Sequence, residues 1–400
     1  RYFNGLTSAS WNNVASWSND LAGTVPATSI PAITDTLIFS TANAVGPTVA
    51  TTLDAALTVD SLVFTSSPTG ITSFTVLQGT GGALSVYPGS SNNGIEVQAN
   101  AGAILIAAPI TTLGVQAWTV NGTGLNGSSL TLSGGVTYTA PVTKAGAGTL
   151  TLSGTNTYSG GTNVNNGTLA LGANNVLADA GGVTITADGT FDIATFNDTV
   201  ATVSLQGGAI TGTTGVLTAT SAYDLRDGSV DAILAGSVGL NKTTADTVTL
   251  SKVNTYSGVT SITGGTLAFS AANNLGDASA TNTLTLNGGT LSYTGAGTAN
   301  LVPNQAMTIG SSGATLNISD ATGTLNLQGG IVTTAAANLT KTGLGTVVVT
   351  GSTDLNGGNV TVNAGALNAG FTARSEERRD RKSTRLNSSH SGESRMPSSA

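Results

Sequence analysis

The chain has 400 residues, of which 8% are charged against ~25% in ordinary globular proteins, and 54 are glycine. Cysteine is absent, which excludes disulfide frameworks, thiolate metal sites and thiol nucleophiles. The net charge of −7 is unevenly spread: Ala373 to Ala400 hold seven of the 13 basic residues, which leaves residues 1–372 at −10. An acidic body argues against nucleic acid or anionic membrane as a partner, because phosphate neutralisation needs clustered Lys and Arg.

In chain order, residues 1–60 hold Trp11, Trp17 and the strand DTLIFS (Asp35 to Ser40), and read as a capping and entry segment. Residues 61–372 repeat one step: a small or polar residue, Thr, an apolar residue, then a Gly or Asn turn. The apolar positions run Leu37, Leu62, Leu84, Ile104, Leu130, Leu150, Leu169, Phe191, Ile210, Ile233, Val248, Leu267, Leu291, Leu316, Ile331, Val347 and Leu367, with a mean spacing near 20 residues. Apolar residues alternate with Thr, Ser and Asn, as in TLTLSG and VTITAD, and turn residues break every run before a helix of ~11 residues could form. The reading is all-β: a parallel β-helix, or β-solenoid, forming a single elongated rod with ~20-residue coils, about 18 of them in ~80 Å. The rival is a string of ~100-residue β-sandwich domains. The missing cysteine pair, the lack of a recurrent buried Trp and the ~20-residue sub-period count against it.

A longer repeat overlies the short one. Lys144, Lys242 and Lys341 open the same phrase, 98 and then 99 residues apart, over 144–177, 242–275 and 341–370. The shared positions are Lys144, Gly148, Leu150, Tyr158 and Leu169; Lys242, Val248, Tyr256 and Leu267; and Lys341, Val347 and Leu367. The lysines read as solvent-exposed turn residues about five coils, or ~24 Å, apart, too far to converge on one ligand. Tyr158 and Tyr256 read as covers on the edge of a turn rather than sugar-stacking platforms. Trp11, Trp17 and Trp118 read as cap and core.

The densest candidate for acid–base chemistry is Asp224, Arg226, Asp227 and Asp231, with Asp188, Asp192 and Asp198 second. Parallel β-helices can carry polysaccharide lyases and hydrolases that use paired Asp or Ca²⁺, so a lyase or hydrolase acting on acidic or neutral glycans is the alternative function. Against it, DLRDGSVD contains a turn signature with Arg226 placed to pair locally. The body also has no His and one Glu, Glu96, which leaves few general acids or bases. No cofactor is expected. Calcium-binding repeats of the GGxGxD type are not present in the sequence, and the Thr pairs 149/151, 247/249 and 283/285 recur too irregularly for a flat Thr array. The longest apolar run, AGAILIAAPI, is too short for a membrane-spanning helix. Residues 373–400 break every rule of the body, and the string SEERRDRKSTRLNSSHS looks like translated sequencing-adapter read-through, so this basic tail is set aside from the fold.

The phrase K-x-G-x-G-T-L-x-L-S-G-x-N-x-Y-x-G-G-T-x-V-x-x-G-T-L-x-L resembles the autotransporter-associated β-strand repeat, also called the passenger-associated transport repeat. Lys144 to Leu171 matches it almost position for position; the second copy has Asp246 in place of Gly, and the third has Leu355 in place of Tyr. The Trp-containing opening is similar to segments that begin such passengers. The resemblance implies a right-handed parallel β-helix, a bacterial surface or secreted location, and a structural or adhesive passenger role without catalysis. It implies an outer-membrane translocator as partner, with surface glycans and host or biofilm matrix components as further partners. No signal peptide precedes Arg1 and no translocator strands follow the last repeat, so the chain is expected to be a passenger fragment.

Overall fold

The computed structural model describes residues 1–4, 9–40, 48–66, 72–89, 92–122, 127–137, 140–333 and 335–369. The basic tail lies outside the described residues. Among those described, the regular secondary structure is almost all strand, joined by turns, with two short 3-10 turns, Val14–Ser16 and Ala272–Leu275. About 14 coils stack in parallel, each coil pairing with the one before and the one after. This is the parallel β-solenoid that the alternation anticipates.

Each coil has three faces, and the alternation of side chains decides which residues enter the lumen. On Thr149–Leu152, Leu150 and Leu152 are buried while Thr149 and Thr151 are half-exposed. The period of two places successive side chains on opposite faces of a strand, and the ~4.8 Å strand spacing then sets each apolar residue on its counterpart in the next coil. On the second face Ile104, Leu130, Leu150, Leu169, Phe191 and Ile210 stack in unbroken register, as the sequence ladder places them. The first face runs Leu37, Leu62, Ile95, Trp118, Lys144, Val164, Ile185, Leu205 and Leu225. The third face is separate at both ends of the rod, with Leu57, Leu84, Ile110 and Val136 near the start.

The ladder read from the sequence therefore mixes faces in places. Leu84 belongs to the third face, the second-face partner of Ile210 is Val230 rather than the half-buried Ile233, and Leu316 stacks on Lys341 rather than on Ile331 or Val347. Coil length explains the slips. Steps on the first face are 20 or 21 residues from Lys144 to Leu225, but 23 to 33 before Lys144 and 23 or 24 from Ile262 to Thr333. Longer coils mean fewer of them, about 14 rather than 18, and a shorter rod, about 65 Å at the strand spacing.

At the N-terminal end Phe3, Trp11, Trp17, Phe39, Phe64 and Phe74 form one aromatic cluster, with ring centroids as close as 4.7 Å between Phe39 and Phe64. Both indole N–H groups are used: Trp11 donates to Thr51 Oγ1 at 2.9 Å and Trp17 to the Trp11 carbonyl at 2.8 Å. Trp118 is fully buried further along and donates to Gln116 Oε1 at 3.0 Å. All three tryptophans are interior side chains, as the core part of their reading expects.

Leu150→Ala should remove a fully enclosed side chain and cost about 2–5 kcal/mol, whereas Thr151→Ala, one residue on and facing outward, should stay within about 0.5 kcal/mol. Urea denaturation midpoints of the two variants check this pair.

Candidate functional site: three lysine-stapled turns

The repeat lysines are not exposed. Lys144, Lys242 and Lys341 each have 0% relative accessibility, and each occupies a position inside the apolar ladder. Lys144 stacks between Trp118 and Val164, Lys242 is paired with Ile262, and Lys341 lies between Leu316 and Val362. The local sequence explains the inward turn: Val142, Leu240 and Leu339 precede the lysines by two residues, so the strand alternation that buries those residues also buries the lysines.

An ammonium away from water needs acceptors for its three protons, and the coil turns supply them. Lys144 Nζ donates to the carbonyls of Ala145 at 2.9 Å and Gly146 at 2.6 Å, in its own turn, and to Asn166 at 2.9 Å in the turn of the next coil. Lys341 does the same with Thr342 at 2.6 Å, Gly343 at 2.8 Å and Ala364 at 3.2 Å. In the second copy Lys242 bonds the Thr244 carbonyl, Thr244 Oγ1 at 3.2 Å and the Gly264 carbonyl at 3.4 Å. There a hydroxyl replaces one carbonyl. Each lysine thus ties together two successive turns. Burial lowers the pKa of all three, Lys144 to about 8; for Lys242 the Asp246 and Asp227 carboxylates oppose that lowering.

The upper turn of each staple needs glycine. Gly167, Gly265 and Gly365 have φ of 67°, 55° and 67°, and a Cβ at each would come within 2.5, 2.3 and 2.2 Å of carbonyl oxygens in the turn below. Only a residue without a side chain fits a left-handed turn pressed so closely on its neighbour. Gly148 is packed against Gly122 and the Ser128 carbonyl, whereas its counterpart Asp246 lies exposed, which accounts for the departure in the second copy.

A second polar device sits at the corner twelve to eighteen residues after the lysine. Asn156 Oδ1 accepts from Val136 N at 2.8 Å, one coil below, and its Nδ2 donates to the Val176 carbonyl at 2.6 Å, one coil above. Asn254 repeats this with Leu234 N and the Asn274 carbonyl. Tyr158 and Tyr256 are buried, and their hydroxyls hydrogen-bond Thr162 Oγ1 and Thr260 Oγ1, each at 2.8 Å. They are interior side chains, neither turn-edge covers nor sugar platforms. In the third copy all three partners change together: Thr353, Leu355 and Val360 stand in these places, and the buried Thr353 Oγ1 has no partner. Asp198 is a related corner, buried, with Oδ2 accepting from Val176 N and Leu177 N at 3.0 Å while Oδ1 has no partner. Desolvation pushes its pKa up to about 6 despite those amides.

The acidic candidates are not assembled into one site. Asp224 pairs with Arg226 at 2.8 Å and accepts from Ser204 Oγ; Asp227 accepts from Gly228 N; Asp231 faces Lys252 at 3.7 Å and accepts from Ser251 Oγ. Asp192 accepts from Thr211 Oγ1 on the outside while Asp198 is buried inside the coil, so the second group is split between surface and interior. Among the described residues no three acidic or histidine side chains converge.

Lys144→Met should leave the carbonyls of Ala145, Gly146 and Asn166 without donors and cost on the order of 3 kcal/mol at pH 7. The pH dependence also carries a sign. With a folded pKa near 8 and an unfolded value near 10.5, the unfolded chain holds more protons between those limits, so the native protein gains stability as pH rises from about 8 to 10. Lys144→Met should lose that contribution, as urea midpoints across the range would show. Asp198 acts oppositely: its contribution is complete below about pH 4 and is lost as pH rises through about 6. Asp198→Asn should therefore flatten the decline in stability between pH 4 and 7, measured in the same way.

Residues 142–171, 240–269 and 339–369 match the family described as passenger-associated-transport-repeat. The chain is 33% identical over 231 residues to the adhesin BmaC autotransporter of Brucella suis biovar 1 (strain 1330), a match that covers 53% of this chain and 6% of that relative. No solved structure matches the chain. The three stapled turns fall in the three matched segments, so the chain carries three copies of the passenger-associated-transport-repeat, each built around one buried lysine.

Proposed function

We propose that the chain forms part of the stalk of a bacterial passenger displayed at the cell surface or secreted, with a structural or adhesive role and no catalysis of its own. The observation that carries this reading is the use of the repeat residues. The lysine, asparagine, tyrosine and glycine shared by the repeats, the residues with chemistry or special backbone freedom, are spent inside the rod on holding coils together, and the outward strand positions of the repeats carry mainly Thr, Ser and Asn. A relative named as an autotransporter adhesin supports it, although the chain spans 6% of that protein's length. The partners that fit are an outer-membrane translocator during export and, on the outer faces, surface glycans or host and biofilm matrix components. No helix among the described residues is long and apolar enough to cross a membrane.

Incubation of the protein with a panel of acidic and neutral polysaccharides, with and without Ca²⁺, should release neither reducing nor unsaturated ends. Particles coated with the protein should be retained on at least one glycan or matrix surface. Release of ends that disappears in Asp224→Asn/Asp227→Asn would replace the stalk by a lyase or hydrolase.

A further inference from the structure

We propose that the first two repeats are the folding nuclei of the rod, each a locally closing pair of coils from which the remaining coils are laid down, and that the third repeat is not. A solenoid can begin folding anywhere along its length, and the start is chosen by whichever coils hold themselves together without their neighbours. Coil length alone does not choose. The cost of closing a loop grows only with the logarithm of its length, so a 20-residue coil differs little from a 26-residue one.

Local bonds do choose. The lysine staple reaches residues one, two and 22 positions away for Lys144, and two and 22 for Lys242. The tyrosine hydroxyl reaches four positions, and the asparagine side chain links backbone groups 20 residues to either side. Hydrogen bonds from an ammonium are roughly twice as strong as neutral ones, and here they close two consecutive turns before any distant coil is needed. The third repeat retains the staple but has lost the rest: Leu355 has no hydroxyl, and Thr353 Oγ1 is buried without a partner where Asn156 and Asn254 bridge the coils below and above.

Two equivalent nuclei give a kinetic signature that a purely stabilising role would not. Removing one leaves the other to start folding, so a single loss costs little in rate; removing both is severe. The test is stopped-flow refolding of the 400-residue chain from urea, followed by tryptophan fluorescence, with Trp118 stacked on Lys144 as the local reporter. Lys144→Met/Lys242→Met should slow refolding about 10- to 100-fold, whereas Lys144→Met/Lys341→Met should slow it no more than about twofold and act chiefly on unfolding. Tyr158→Phe/Tyr256→Phe, a milder change at the same two repeats, should slow refolding beyond the sum of its single variants and serves as the deciding pair if the lysine double variant does not fold. Equal slowing in the two lysine double variants, or acceleration of unfolding alone in the tyrosine pair, overturns the proposal.

Discussion

Stacking coils in register at the strand spacing forces a problem on every turn that the rest of the molecule is arranged to solve. Strand carbonyls find partners in the adjacent coil, but a turn bends the backbone and points some carbonyls toward a lumen that water does not enter. A buried polar group without a partner costs more than a formed bond returns. The lysines answer this with one flexible stem and three protons each, so that apolar stacking continues along the methylenes while the ammonium collects carbonyls from two turns at once. Residues 1–369 hold only six basic side chains. Three are buried in this way; Arg1 forms a half-buried ion pair with Asp35, and Arg226 and Lys252 form surface ion pairs with Asp224 and Asp231, worth about 0–1 kcal/mol each.

The internal copies act as an experiment already performed on the same scaffold. Where Gly146 becomes Thr244, a hydroxyl takes over as acceptor for the ammonium. Where tyrosine is lost, the threonine that bonded it and the asparagine at the corner are lost with it, which marks the three as one device. Asp198 shows what happens when such a corner carries a carboxylate: two amides are satisfied, one oxygen is stranded, and the proton affinity rises.

Much of this is legible in the sequence. Alternation, the ~20-residue step and the three phrases lead to a parallel solenoid, and the second-face ladder from Ile104 to Ile210 is correct residue by residue. Assigning the outer coils is harder, because turns of variable length change the spacing without changing the strand pattern, so Leu84 and Ile233 look like rungs of a ladder to which they do not belong. The lysines mislead for a different reason. Charge suggests solvent, yet Val142-Thr-Lys144, Leu240-Asn-Lys242 and Leu339-Thr-Lys341 put each lysine on the buried side of its strand. The spacing to the preceding apolar residue is the better guide.

Equal spacing along the chain does not produce equal placement in space. From Lys144, five coils lead to Lys242 on the same face; from Lys242, four coils lead to Thr333 on that face, and Lys341 follows on the next one round. The third repeat is seated with its staple, its strands and its glycine turn all advanced by one side of the prism. A unit that brings its own turn closure can dock wherever the preceding coil happens to end. Such a gene can lengthen by copying a stretch that is not a whole number of coils, and the rod stays continuous while the outward-facing residues of the new copy point in another direction.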